Sequence, residues 1–141
     1  MILRQPLLRA AAWPAAVLAG YLILRARLGA DVNWPPLNVA THAAGGLAVA
    51  HLVGVALGPV LDTLRGRTRD LVRALGIVTL TTTVAVLWEF FECVVARIHG
   101  VLGPSAGGDT LRDIAAGMAG AVAYVAVSCL VRAGGAQAQA A

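Results

Sequence analysis

Four apolar windows, each long enough to cross a bilayer, constrain this chain more than any other feature. A membrane-spanning helix needs about 20 predominantly apolar residues. Such windows occur at about 7–28, 37–61, 71–98 and 111–131. With 13% charged residues against about 25% in an ordinary soluble domain, the chain has few groups with which to build a water-facing surface. The expected fold is therefore all-α: a four-helix transmembrane bundle with up-down, antiparallel connectivity, forming a single membrane domain over 1–133. The remaining segment, 134–141 (GGAQAQAA), has nothing to bury and is expected to be disordered.

The first window begins after basic residues, as a signal peptide would. Arg25 and Arg27 follow its apolar stretch directly, with no small-x-small cleavage site ahead of them, so retention as a span is the better reading.

All eleven basic residues are arginine. They punctuate apolar runs instead of lining one polar face, which argues for membrane topology and against nucleic-acid binding. Arg4, Arg9, Arg65, Arg67, Arg69, Arg73 and Arg132 fall on the side of both termini and the middle loop. Arg25, Arg27, Arg97 and Arg112 fall on the other. Positive charge is retained in the cytoplasm, so both termini are expected there, in a bacterial inner membrane.

Against this apolar background the stretch Trp88–Gly120 stands out. It places Glu89, Glu92, His99, Asp109 and Asp113 around one turn. An ionisable group beside hydrocarbon is costly and indicates function by default. Glu89 and Glu92 are three residues apart and share a helix face; Asp109 and Asp113, four apart, do the same. With the second helix running inward and the third outward, His42 joins these carboxylates in the outer half of the bundle. So many carboxylates cannot all stay ionised together without positive charge. A divalent metal ion, protons, or Arg97 and Arg112 could supply it, and His plus carboxylates on bundle helices is the general style of carboxylate metal sites.

Simpler readings accompany each residue. Thr110-x-x-Asp113 has the form of a capping box, and Asp109 suits a helix N-terminus. Glu92 could snorkel or pair with Arg97. Glu89, deeper and flanked by Trp88, Phe90 and Phe91, is hardest to explain structurally; Trp88 is expected to pack beside the site. The threonines at 79–83 are expected to bond back to their own helix carbonyls. His51 lies nine residues from His42, on the opposite face of one helix, so no bis-histidine haem is expected. Cys93 and Cys129 fall towards opposite ends of adjacent spans, too far apart to bridge. No nucleophile motif or phosphate loop occurs, and the Gly-rich GPSAGG at 103–108 is expected to be a turn.

The order THAAGG, then WE-x-x-E, then GGDT-x-x-D, then a glycine-punctuated span resembles the small bacterial inner-membrane proteins of the YjdF type, and more distantly the VanZ-like membrane proteins. The motif positions here are His42, Glu89, Glu92, Asp109 and Asp113. The resemblance implies a multi-pass membrane protein. Through the VanZ-like proteins it also implies an envelope process, with a lipid-linked or other envelope substrate as the expected partner besides the bilayer. A transporter of protons or cations, and a structural protein whose acids pair with arginines, are the other readings open to the sequence. Transport would need polar stepping stones through the inner half, where only His51 and the threonine run stand.

Overall fold

A computed structural model describes residues 4–28, 35–98 and 106–140 of the protein. They form four helices: α1 (Arg4–Leu28), α2 (Pro35–Val60), α3 (Gly66–Ile98) and α4 (Ala106–Ala140). Each contains a stretch long and apolar enough to cross a membrane. Among the described residues there is no strand. The all-α, four-span expectation is met.

The helices outrun the apolar windows that located them. α3 begins at Gly66, which takes a left-handed φ of 57° at the end of the short α2–α3 turn, a conformation glycine adopts freely. α4 begins at Ala106, so the second half of the glycine-rich segment is helical. At its other end α4 continues to Ala140, where disorder was expected. Alanine and glutamine are strong helix formers, and hydropathy does not register a helix that leaves the bilayer.

The architecture is inside-out relative to a soluble protein. Phe90, Leu111, Leu130 and Ile98 are among the large apolar side chains turned outwards, while Thr81, Glu89 and Asp113 are buried. A bilayer accepts the first group without penalty; the second must be satisfied inside. Apolar packing concentrates on Ala50, Ile77 and Ala121, joined by Val53, Leu57, Tyr124 and Val125.

Close approach of α2 and α4 organises the bundle. A Cβ on Gly46 would overlap the Gly117 carbonyl oxygen, and one on Gly120 would overlap the Ala43 carbonyl oxygen. These glycines let two backbones touch, the usual way helices associate where lipid removes the hydrophobic drive. The pairings Gly46 with Gly117 and His51 with Tyr124 run in one sense along both helices, so α2 and α4 are parallel. α3 runs against both. α1 packs on α2, and among the described residues its backbone closes on neither α3 nor α4.

Candidate functional site

His42 is the centre of the polar group at one end of the bundle. It sits on α2 four residues before Gly46, so the α2–α4 glycine contact fixes its height beside α4. Its Nδ1 lies 3.6 Å from Oε1 of Glu89 on α3, and its Nε2 lies 3.7 Å from Oδ2 of Asp113 on α4. One imidazole thus stands between carboxylates from two other helices.

Those separations have chemical content. They exceed hydrogen-bond length, yet 3.6 Å suits two donors on one ion, since bond lengths of about 2.1 Å allow separations up to about 4.2 Å. Ligand atoms of His42, Glu89 and Glu92 all lie within 4.8 Å of one another. Bringing all three onto a single ion therefore requires less than an ångström of side-chain adjustment. These three residues could hold a metal ion.

Burial sharpens the point for Glu89. The residue is 6% exposed, and its Oε1 has no hydrogen-bond partner. The Thr110 side chain hydrogen-bonds the Glu89 carboxylate, which leaves Oε1 as the atom turned towards His42. A buried carboxylate oxygen with no donor costs on the order of several kcal/mol unless a cation or proton meets it.

Asp113 occupies a different position. It is 3% exposed and accepts a 2.5 Å hydrogen bond at Oδ2 from Asn38 Nδ2. Its Oδ1 stands 3.6 Å from Arg112 Nε, while Arg112 also forms a 2.9 Å ion pair with Asp109. Asp113 is therefore held from two sides, facing the His42 nitrogen that points away from Glu89. A carboxylate behind the second nitrogen of a ligating histidine is the usual device for fixing its tautomer and orientation.

The sequence-selected residues thus separate into groups. His42, Glu89 and Glu92 come together, and Asp113 adjoins them. Asp109, in the first turn of α4, is tied to Arg112 and falls outside the group of three. The capping-box reading of Thr110 and Asp113 is corrected: α4 starts at Ala106, so both lie beyond its free N–H groups, and Thr110 turns to Glu89 instead. Arg112 is the arginine that meets acids here; Arg97 is exposed in the last turn of α3. Trp88 is half-buried beside the site and packs against Phe91 with ring centroids 5.6 Å apart. His99 lies outside the described residues.

Asn38 was not singled out in the sequence, and Thr110 was read only as a helix cap. Asn38 carried a usable signal, standing four residues before His42 and hence on the same helix face. Thr110 carried a misleading one, since its spacing to Asp113 imitates a cap. His51 packs edge-on against Tyr124 of α4 at 5.8 Å, nine residues along α2 from His42. Thr83 bonds back to the Thr79 carbonyl as expected, whereas the Thr81 and Thr82 hydroxyls are buried without partners. Both cysteines are free.

A cavity of about 340 Å³ reaches the site from α1. Pro14, Leu18 and Tyr21 form one wall, Gly45 and Val49 the floor, and Val84 and Trp88 the facing wall. His42 and Glu92 line it; Glu89 stays behind them.

No curated protein and no solved structure matches the chain significantly. A family model described as a predicted membrane protein, DUF2238, matches residues 12–134, most of the chain. With four spans, the quoted motifs and that match in agreement, the chain belongs to this family of predicted membrane proteins, which is the YjdF family.

Proposed function

We propose that this integral membrane protein binds a divalent cation through His42, Glu89 and Glu92, with Asp113 positioning His42 from behind. The observation that carries the reading is the buried Oε1 of Glu89, without a hydrogen-bond partner and 3.6 Å from an imidazole nitrogen. One nitrogen and two carboxylate oxygens suit zinc or manganese. Three protein ligands would leave a coordination position free, and a bound ion there would polarise a phosphoryl or carbonyl oxygen. The arginine distribution supports an outward-facing site in a bacterial inner membrane, with both termini cytoplasmic.

The competing readings are weaker on specific grounds. Transport by the same carboxylates needs a polar route to the far end, and the interior beyond the site is filled by Ala50, Ile77 and Ala121. A purely structural role is favoured for Asp109, which Arg112 neutralises. It leaves the Glu89 oxygen without a donor.

Metal content of the purified protein tests the proposal. After loading with Zn²⁺ or Mn²⁺ and desalting, wild type should retain stoichiometric metal and Glu89→Ala none, with the variant still folded. Equal metal in both, or none in wild type, contradicts the reading.

A further inference from the structure

The cleft between α1 and α3 has a direction. On α2 its lining runs from Asn38 to Val49, and on α3 from Glu92 to Thr81. Each stretch covers about 16 Å of helix at about 1.5 Å per residue. Because the helices are antiparallel, the polar ends coincide: Asn38, Thr41, His42 and Glu92 lie together, and the remainder is apolar apart from Thr81 and Tyr21. A bilayer hydrocarbon layer is about 30 Å thick, so the slot is as long as one leaflet is deep. Its volume, about 340 Å³, lies at the lower end of small-molecule sites, about 300–1,000 Å³.

The floor is also specific. Gly45 lines the slot, and an added Cβ there would meet nothing within 4 Å; on Gly46, the next residue, it would strike α4 backbone. Packing against α4 thus accounts for Gly46 and not for Gly45, whose missing side chain widens the slot. On the lateral side the α1 backbone closes on α2 and not on α3, so side chains alone stand between the slot and the bilayer there. Glu89 stands behind His42 and Glu92, which line the slot, so a cation held by the three would be reached from the slot.

We infer that this slot holds one hydrocarbon chain of a phosphate-headed lipid, whose phosphate oxygen ligates the cation held by His42, Glu89 and Glu92. The inference rests on the cation reading. Two carboxylates balance a divalent ion, and a phosphate supplies the hard oxygen donor for its open position. Without the ion the carboxylates would repel an anionic head, so lipid affinity should depend on metal. No bond in the lipid is made or broken by this binding.

Purified full-length protein in a rigid steroid-type detergent, loaded with Zn²⁺, would be titrated with radiolabelled dodecyl phosphate, inorganic phosphate and dodecanol. Dodecyl phosphate should bind at least tenfold more tightly than either fragment, and stripping the metal should remove that advantage. Gly45→Leu fills the slot without touching a metal ligand. It should weaken dodecyl phosphate at least tenfold while Zn²⁺ stoichiometry, which also reports folding, stays unchanged. Val84→Trp, from the facing wall, should do the same, and Gly20→Leu, outside the slot, should do nothing. Unchanged dodecyl phosphate affinity in both slot variants, with Zn²⁺ bound, overturns the slot and leaves the cation reading standing. Inorganic phosphate binding as tightly as dodecyl phosphate overturns it in favour of free phosphate. A wild type that takes up no Zn²⁺ overturns the cation reading and the phosphate ligation together.

Discussion

The two ends of the bundle carry similar charges in opposite circumstances. At the end holding the α2–α3 turn, Asp62 pairs with Arg69 and Asp70 approaches Arg132, and all four side chains are at least 40% exposed. At the other end Glu89 and Asp113 are 7% and 4% exposed at their side chains, with a histidine between them. Water already solvates the first set, so those pairs contribute about 0–1 kcal/mol each and are weakened by salt. The second set is cut off from water, and its charges must be answered by specific groups. Acidic residues thus form solvated ion pairs at one end and a buried cluster at the other, and burial distinguishes them.

The largest expected effect removes the contact that brings the second end together. Gly46→Leu drives a side chain into the α4 backbone, and overpacking of this kind costs about 3 kcal/mol or more. We expect loss of monodisperse protein on size-exclusion chromatography, whereas Gly45→Ala, one residue away with open space around it, should be neutral or stabilising.

Next in size is Glu89→Gln. It should lower Zn²⁺ affinity at least about 100-fold, the upper range for lost ligand-sphere partners. Removing a buried charge whose Oε1 has no donor should also raise the thermal midpoint of the metal-free protein. Added Zn²⁺ should then raise the midpoint of wild type alone. A metal-free Glu89→Gln less stable than metal-free wild type would mean that the charge is satisfied from within the protein.

Asp113→Asn should act more mildly, about 10–100-fold in metal affinity, because the Asn38 bond and the place behind His42 are kept while the charge is lost. Protons compete for the same ligand atoms, so calorimetry should show Zn²⁺ affinity falling as pH is lowered and protons released on binding.

The smallest effect sharpens the comparison from the exposed end. Asp62→Asn should change stability by less than about 1 kcal/mol and leave metal binding untouched. A metal-binding defect in Asp62→Asn would erase the distinction between the ends.

Much of this arrangement was legible in the sequence. Apolar run length located all four helices, because a bilayer demands it. Helical periodicity joined Glu89 to Glu92, and the order of the helices brought His42 to them. Helix ends were less legible: Gly66 and Ala106 begin helices outside the apolar windows, where hydropathy carries no signal. Asp109 already had a simpler reading at the helix N-terminus, but spacing cannot say which of two acids an adjacent arginine will neutralise. The slot was not legible either. The middle of α1 is apolar on every side, so nothing in its pattern announces that its backbone closes on α2 and not on α3.

The central claim is that one imidazole and two carboxylates from α2 and α3 share an ion. X-ray absorption at the zinc edge of the loaded protein tests it most directly. The account predicts a shell of nitrogen and oxygen donors at about 2.0–2.2 Å with the outer scattering of a single imidazole, which disappears in His42→Ala. A sulfur shell, imidazole scattering that survives in His42→Ala, or a spectrum without imidazole in wild type would contradict it.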